Sequence, residues 1–228
     1  MFGRIIFKAI SEAMKPQTGS VVPSPKNEAL EAVINDDPIA QRVDWGPCKR
    51  GGSSYKTRVL TEIDQNHLEY KSSFISKLFP GIFMFQGGSA VIALLLMPNL
   101  VAGDTIFPII FGSFAFVMGY FLWTRMNYPI MFDLLDRVYW TGSKDPRSSK
   151  VKVEFDDIYA IQLVSELVTQ KSRSRGHTSY RRFRSVELNF IFKDGERINV
   201  IDHGDLKVIR EDAQRLSKLI GIPVWDAV

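Results

Sequence analysis

Residues 78–96 read LFPGIFMFQGGSAVIALLL, and residues 105–123 read TIFPIIFGSFAFVMGYFLW. Neither stretch contains Asp, Glu, Lys, Arg or His, and each is 19 residues long. A helix rises about 1.5 Å per residue, so about 20 apolar residues cross the ~30 Å hydrocarbon core of a bilayer. The remaining chain is too short and too polar to enclose two such helices. We therefore expect a transmembrane helical hairpin over residues 78–124.

The charges around this hairpin predict its orientation. The connection between the two stretches carries Pro98, Asn99 and Gly103 and lacks Lys and Arg. Basic residues flank the other ends of the helices: Arg58, Lys71, Lys77, Arg125, Arg137 and Lys144. Because positively charged flanks stay inside, both termini are expected in the cytoplasm. No cleavable signal peptide is visible, since charged residues interrupt the apolar residues of the first 15 positions.

Small residues predict where the two helices pack. Ser89 and Ala93 form one small-xxx-small pair, and Ala115 and Gly119 form a second. Gln86 is the polar group at depth, and an amide there more often hydrogen-bonds across a helix interface than binds substrate. A transport pathway normally needs ionisable groups in the membrane. Their absence from both stretches argues against a carrier formed by a single protomer.

Composition excludes several classes of site. The 228 residues carry a net charge of +4 and a single cysteine, Cys48, so an internal disulfide framework and a cysteine-rich zinc site are excluded. His67, His177 and His203 lack the spacing of zinc ligands. No Ser, Cys or Lys stands in a recognisable nucleophile motif. We therefore predict a non-enzymatic protein without a metal or cofactor.

The segments before the hairpin are predicted to differ in structure. Residues 1–15 place apolar side chains at helical spacing, which predicts an amphipathic helix on the inner leaflet, on a partner, or on the chain's own domain. Residues 16–56 are rich in Pro and Gly and read as a linker, with a short helix that Asn27 caps. Residues 57–77 contain two strand-like runs, at 57–63 and 67–71, which predict a β-hairpin leading into the membrane.

After the hairpin, residues 125–228 predict a small cytoplasmic antiparallel β domain closed by a helix, so the fold class is α+β. Strand-like runs occupy residues 137–141, 152–155, 158–163, 185–192 and 197–201. Asp194 and Gly195 predict a hairpin turn. Asp205 is the expected N-cap of the final helix, and Gly221 its C-cap.

This arrangement resembles the pleckstrin-homology-like domains attached to the two-helix hairpins of small bacterial inner-membrane proteins. The residues that carry the resemblance are DRVYW at 136–140, the Asp194–Gly195 turn with the strand after it, DHGD at 202–205 and GIPVWD at 221–226. The resemblance covers about residues 136–226, and the 57–71 hairpin could join the same sheet. It implies a fold and a multi-pass location in the bacterial inner membrane, and it implies no catalytic residues.

The segment KSRSRGHTSYRRFR at residues 171–184 is the most conspicuous polar feature. It has no acidic residue, and it is expected to be a loop between two strands. Its six cations are Lys171, Arg173, Arg175, Arg181, Arg182 and Arg184. The segment predicts contact with anionic lipid headgroups or an acidic protein, while a solvated loop is an equally good reading. Nucleic-acid binding, suggested by the interleaved aromatic residues, is the least favoured alternative.

The sequence therefore predicts a membrane-anchored scaffold or regulatory subunit that contacts membrane lipid and a protein partner or further copies of itself. The alternative is a subunit of a membrane enzyme or transporter whose site forms between protomers, around Gln86 or His203. His203 lies between Asp202 and Asp205, a pattern that invites a catalytic interpretation. The position before a helix favours a capping role for Asp205, with Gly204 turning the chain.

Overall fold

The computed structural model describes residues 20–21, 28–96, 106–174 and 177–228, and within them the chain is α+β, with four α-helices and two sheets. The helices are α1 (Glu28–Asp36), α2 (Phe74–Leu96), α3 (Ile106–Met126) and α4 (Leu206–Ile220). The strands are β1 (Ser20–Val21), β2 (Arg58–Glu62), β3 (His67–Ser72), β4 (Ile130–Asp133), β5 (Val138–Thr141), β6 (Val151–Glu154), β7 (Ile158–Ser174), β8 (His177–Phe192), β9 (Arg197–His203) and β10 (Val224–Asp226). The predicted helix at residues 1–15 and the connection between the apolar helices lie outside the described residues.

The chain divides into two compact units, and the first is Lys56–Phe155. Its antiparallel sheet has the order β2-β3-β4-β5-β6, and α2 and α3 are inserted between β3 and β4. These two strands are neighbours, with His67 paired to Asp133. The chain therefore leaves the sheet into the helices and returns one strand further along, so the helical pair is an insertion in a β-meander.

Aromatic residues fill one face of this sheet. Tyr70, Phe132 and Tyr139 are fully buried and come from three adjacent strands. The rings of Tyr70 and Phe132 meet edge to face with centroids 5.9 Å apart, and those of Phe132 and Tyr139 lie 5.3 Å apart. Such offset and edge-on pairs are the favoured aromatic geometries. Strand β4, which is not among the strand-like runs predicted from the sequence, therefore contributes the centre of the core.

Serine side chains attach the start of α2 to the sheet. Ser73 Oγ accepts a hydrogen bond from the backbone N–H of Ser76 at 3.3 Å, which is the N-cap arrangement. Ser76 Oγ donates in turn to the carbonyl oxygen of Thr57 at 2.9 Å. The cap explains why α2 begins at Phe74, four residues before the apolar run from which the helix was predicted.

Arg58 attaches the end of α3. Its Nη1 donates to the carbonyl oxygens of Tyr70 and Tyr128, both at 2.9 Å, and its Nη2 to that of Met126 at 3.3 Å. Ser72 Oγ donates to the same Met126 oxygen at 2.7 Å. Burial lowers the pKa of Arg58 below its ordinary value. A cation on the last carbonyls of a helix also interacts favourably with the helix dipole, so this residue fixes the helix end to the strands.

The second unit consists of the described parts of Met1–Tyr55 together with Asp156–Val228. Strands β7, β8 and β9 form an antiparallel sheet, β10 pairs in parallel with β7, and β1 pairs with the same strand nearer its end. Helix α4 covers one face with the buried residues Ile209, Ala213, Leu216 and Ile220. Its predicted caps are both present, since Asp205 accepts from two backbone N–H groups and Gly221 adopts φ 85°.

Residues 37–55 cover the opposite face of this sheet. Ala40 and Val43 are buried there in a cluster with Ala160, Ile191 and Trp225. This corrects the prediction of a linker over residues 16–56 for these positions. The apolar residues in this segment are few and separated by turns, so the sequence gives no local sign that they pack on a sheet.

The strands predicted for a single β domain over residues 125–228 also divide between the two sheets. Strands β4 to β6 join β2 and β3, whereas β7 to β9 form the other sheet. A 3₁₀ turn at Phe155–Asp157 separates them. Local strand propensity does not encode which strands pair, because pairing is a long-range choice.

Candidate functional site

The basic segment is the end of the long β7–β8 strand pair, which continues past the other strands of the sheet as a two-stranded arm, whereas a loop was expected from the sequence. The pairing of β7 with β8 runs without interruption from Ala160 opposite Ile191 to Ser174 opposite His177. At about 3.3 Å per residue, the 17 residues of β7 extend about 55 Å. The β-branched and aromatic residues interleaved with the cations suit a strand, which explains why the ladder continues through so charged a stretch.

The register of the arm sorts its cations by face. Lys171 pairs with Tyr180 and Thr169 with Arg182, and directly opposed residues of an antiparallel pair point to the same side. Four of the five described cations consequently share one face of the arm: Lys171, Arg173, Arg182 and Arg184. Arg181 is on the other face, and Arg175 lies outside the described residues. We call the four-cation surface the basic face.

The basic face is exposed and carries no compensating charge. Between residues 167 and 186 the sequence has no Asp or Glu. Among the described residues none of the five cations forms an ion pair within 4.0 Å. Tyr180 is exposed on the same face, with the Lys171 Nζ 5.9 Å from its ring centroid. An anionic surface would meet four cations and an aromatic ring on one face of the arm.

Contact between α2 and α3 is made by glycines. A Cβ built on Gly87 would lie 2.4 Å from the carbonyl oxygen of Gly112, and one built on Gly119 would lie 2.8 Å from the backbone nitrogen of Met84. Ala115 is buried on the same face of α3. Close approach of the two backbones therefore requires the absence of side chains at these positions.

The other residues predicted for helix packing lie elsewhere. Gln86, Ser89 and Ala93 are exposed, and Ser89 Oγ donates to the carbonyl oxygen of Gln86 at 2.9 Å. Within this chain the α2 side of the contact is thus at Gly87, one residue along from the predicted Gln86. The helix turns about 100° per residue, so this single step moves the contact to a different face.

His203 belongs to the start of α4. It is fully buried, and its Nδ1 lies 3.0 Å from the backbone nitrogen of Asp205, which caps the helix. Gly204 N–H donates to the carbonyl oxygen of Tyr55 at 3.0 Å, and a Cβ on Gly204 would lie 2.3 Å from the Tyr55 nitrogen. The DHGD sequence therefore serves a turn, a close backbone contact and a cap.

A group of buried carboxylates beneath residues 48–53 was not found from the sequence. Glu187 Oε2 accepts from the backbone N–H of Cys48 at 2.7 Å, and its Oε1 accepts from that of Lys49 at 3.0 Å. Glu166 Oε2 accepts from Gly51 N–H at 3.0 Å. Both glutamates are 1% exposed. Both carboxylates are covered by the 48–53 loop, from whose backbone N–H groups they accept hydrogen bonds.

Burial raises the pKa of two acids in this part of the sheet, Glu187 and Asp202. Desolvation raises the pKa of Glu187, against the opposing effect of the two loop N–H bonds. Desolvation also raises the pKa of Asp202, which pairs with Glu187 across the sheet. Asn199 Nδ2 donates to Asp202 at 3.0 Å and Asn189 Nδ2 to Glu187 at 3.2 Å. The network fastens the loop to the sheet at the cost of burying acidic groups.

Within the described ranges, no group of three or more His, Cys, Asp or Glu side chains is arranged to hold a metal ion. Comparisons with family models, with curated proteins and with solved structures gave no match for the chain. The resemblance to pleckstrin-homology-like membrane proteins therefore stays a prediction.

One helix of the described residues is long and apolar enough to cross a membrane, over Ile109–Met126 in α3, with a mean hydropathy of 1.4. Only 17% of that window is buried. The core helix of a water-soluble domain would have most of such a window covered by protein. The structure thus offers one candidate span, and a second span in α2 belongs to the proposal that follows.

Proposed function

We propose that this chain is a membrane-anchored, non-enzymatic protein in which α2 and α3 both span a bacterial inner membrane and the basic face of the arm binds anionic lipid headgroups. In this proposal both termini are cytoplasmic, as the basic flanks favour. The protein would act as a scaffold or regulatory subunit, holding its β units at the membrane surface for a protein partner.

The exposure of large apolar side chains on both helices carries the proposal. Five large apolar side chains are each more than 60% exposed: Phe74, Phe85 and Leu96 of α2, and Phe107 and Val117 of α3. Exposed apolar patches of this extent mark interaction with a membrane or another protein. In a bilayer these apolar side chains would face hydrocarbon and not water, so their exposure on both helices would cost no free energy.

The geometry of the arm supports lipid contact. The register places four cations on one face of the arm, where they can meet a surface of negative charge together, and each Lys or Arg near an anionic leaflet contributes about 1 kcal/mol. Neutralising two of the four should therefore weaken the contact by about 2 kcal/mol, or roughly 30-fold.

The test uses the full chain in nanodiscs, with Cys48→Ser and a dye attached at Ser179→Cys on the opposite face of the arm. Energy transfer from the dye to acceptor-labelled headgroups should rise when phosphatidylglycerol is added to phosphatidylcholine, and fall with salt. Lys171→Gln with Arg182→Gln should reduce the rise to a small fraction of the wild-type value. Lys193→Gln with Lys207→Gln, two exposed lysines outside the arm, is the matched control.

A transfer signal indifferent to phosphatidylglycerol would contradict lipid contact and leave an acidic protein as the occupant of the basic face. Prior washing of membranes with alkaline carbonate tests the anchor separately. Release of the chain into the wash would refute the two-span hairpin.

Gln86 supports self-association as part of the same proposal. Its amide is exposed on α2 together with Ser89 and Ala93, which share its helix face at spacings of three and seven. An amide facing hydrocarbon is costly unless it bonds to another helix. Gln86→Leu should therefore shift the chain from oligomer toward monomer in mild detergent, measured by light scattering. An unchanged mass would remove this contact from the proposal.

A further inference from the structure

A groove of about 480 Å³ lies at the foot of the helical pair, within the unit Lys56–Phe155. Its walls are almost wholly apolar, formed by Phe74, Leu78, Ile82, Phe85 and Trp123. This volume is within the range of sites that bind small molecules. The groove remains open although α2 and α3 are in close contact further along at Gly87.

The length of the groove matches one leaflet of a bilayer. It follows α2 over the twelve residues from Phe74 to Phe85, whose eleven rises of about 1.5 Å correspond to about 16 Å of helix. Half of a ~30 Å hydrocarbon core is about 15 Å. The groove is thus about as long as the hydrocarbon that one leaflet contributes.

The two ends of the groove differ in polarity. Lys77, which lines the end near the start of α2, is the one charged residue of that helix. It forms no ion pair with any described residue. Trp123, three residues before the end of α3, also lines the groove, and indoles prefer the membrane interface. The far end, at Ile82 and Phe85, has no polar side chain.

Gly81 leaves the middle of the groove open. A Cβ built on this glycine would meet no atom within 4 Å, in contrast to Gly87. Both glycines are inside α2, where glycine weakens a helix relative to alanine. No described residue therefore packs into the space at Gly81.

We propose that this groove seats one acyl chain of an anionic phospholipid, with the Lys77 ammonium group on its phosphate. The inference rests on the proposed insertion of α2 and α3 into a bilayer. A cation at one end of an apolar channel complements an amphiphile of that length and charge. A volume of about 480 Å³ spread over about 16 Å of helix gives a mean cross-section of about 30 Å², which suits an acyl chain better than a second helix about 10 Å across.

The test is native mass spectrometry of the full chain in mild detergent, with equal amounts of dioleoyl phosphatidylglycerol and dioleoyl phosphatidylcholine added. Wild type should retain one phosphatidylglycerol in preference to phosphatidylcholine. Lys77→Gln should reduce that preference about fivefold. Gly81→Leu, whose side chain would fill the groove, should reduce retention of both lipids at least about tenfold.

Arg125→Gln, a cation at the end of α3 that does not line the groove, should leave both lipids as in wild type, and circular dichroism should show that all variants keep their helices. Equal retention of the two lipids by wild type, or full retention by Gly81→Leu, would overturn the proposal. So would a dimer that Gly81→Leu dissociates, since it would make the groove an interface between copies. Resistance of wild type to alkaline carbonate distinguishes either result from failure of the membrane anchor.

Discussion

Replacing Glu187 with Gln should release the loop at residues 48–53 from the sheet beneath it. In the structure the Glu187 carboxylate accepts from the N–H groups of Cys48 and Lys49 and from Asn189 Nδ2. Glutamine keeps the shape but offers one acceptor oxygen, and its amide nitrogen would face a backbone N–H. At least one loop N–H is left without its acceptor.

The magnitude follows from the cost of an unsatisfied donor. Leaving a buried polar group unpaired costs about 1–3 kcal/mol. Removing a buried charge offsets part of this, because the desolvation of the carboxylate no longer has to be overcome. A net loss of about 2 kcal/mol in the stability of the closed loop corresponds to roughly 30-fold more opening.

Hydrogen exchange resolved to single amides measures that opening in the full chain. The amides of Cys48 and Lys49 should exchange roughly 30-fold faster in Glu187→Gln, and that of Gly51, which bonds to Glu166, should change less. Glu196→Gln, an exposed glutamate in the same unit, is the matched control and should change none of the three amides.

Unchanged exchange at Cys48 and Lys49 in a folded Glu187→Gln protein would refute the reasoning, because the loop would then be held by something other than the carboxylate. Equal acceleration in Glu196→Gln would show a global loss of stability and would refute the assignment to this site.

Three further predictions concern Arg58, the Gly87 helix contact and the two buried acids. Arg58→Lys should lower the free energy of unfolding by about 2 kcal/mol, since an ammonium group cannot bond the three carbonyls in the guanidinium geometry, and denaturant titration followed by circular dichroism measures it. Gly87→Ala should destabilise the helical pair by about 1–3 kcal/mol in the same titration, while Gly81→Ala should be neutral or slightly stabilising; equal effects would contradict the close contact. Because burial raises the pKa values of Glu187 and Asp202 above 4.5 and 3.8, the folded state binds more protons than the unfolded state between those values and the higher folded ones, and stability should fall as pH rises through that window. Asp202→Asn should flatten the slope of melting temperature against pH, and an unchanged slope would show that this group does not titrate there.

Much of the local structure was readable from the sequence. The apolar runs predicted two long helices, Asp194 and Gly195 predicted a hairpin turn, and Asp205 was recognised as a cap, because each of these features is decided by neighbouring residues. The basic segment was identified as a candidate surface, but its strand structure was not. The many charges of this segment suggested a loop, whereas its residues continue the pairing of β7 with β8.

The contacts between distant parts of the chain could not be read in this way. Glu187 and Glu166 alternate with apolar residues, and the same alternation occurs in strands that have one face in water. The neighbouring sequence does not indicate that residues 48–53 cover these glutamates. Likewise, the small size of Ala115 and Gly119 predicts a helix contact on α3. The sequence does not show that the residue facing them on α2 is Gly87 and not its neighbour Gln86.

The amino-acid sequence by itself determined the helices, the turns, the caps and the amount of charge on the arm, because hydrophobic periodicity and backbone preference act over a few residues. Only the tertiary structure decided that the apolar helices are inserted between neighbouring strands of a meander, that four cations share one face, and that two glutamates are buried under a loop. The insertion depends on the pairing of β3 with β4, in which His67 lies opposite Asp133, and the shared face depends on the register of β7 with β8. The burial of the two glutamates depends on hydrogen bonds between residues more than a hundred positions apart in the chain.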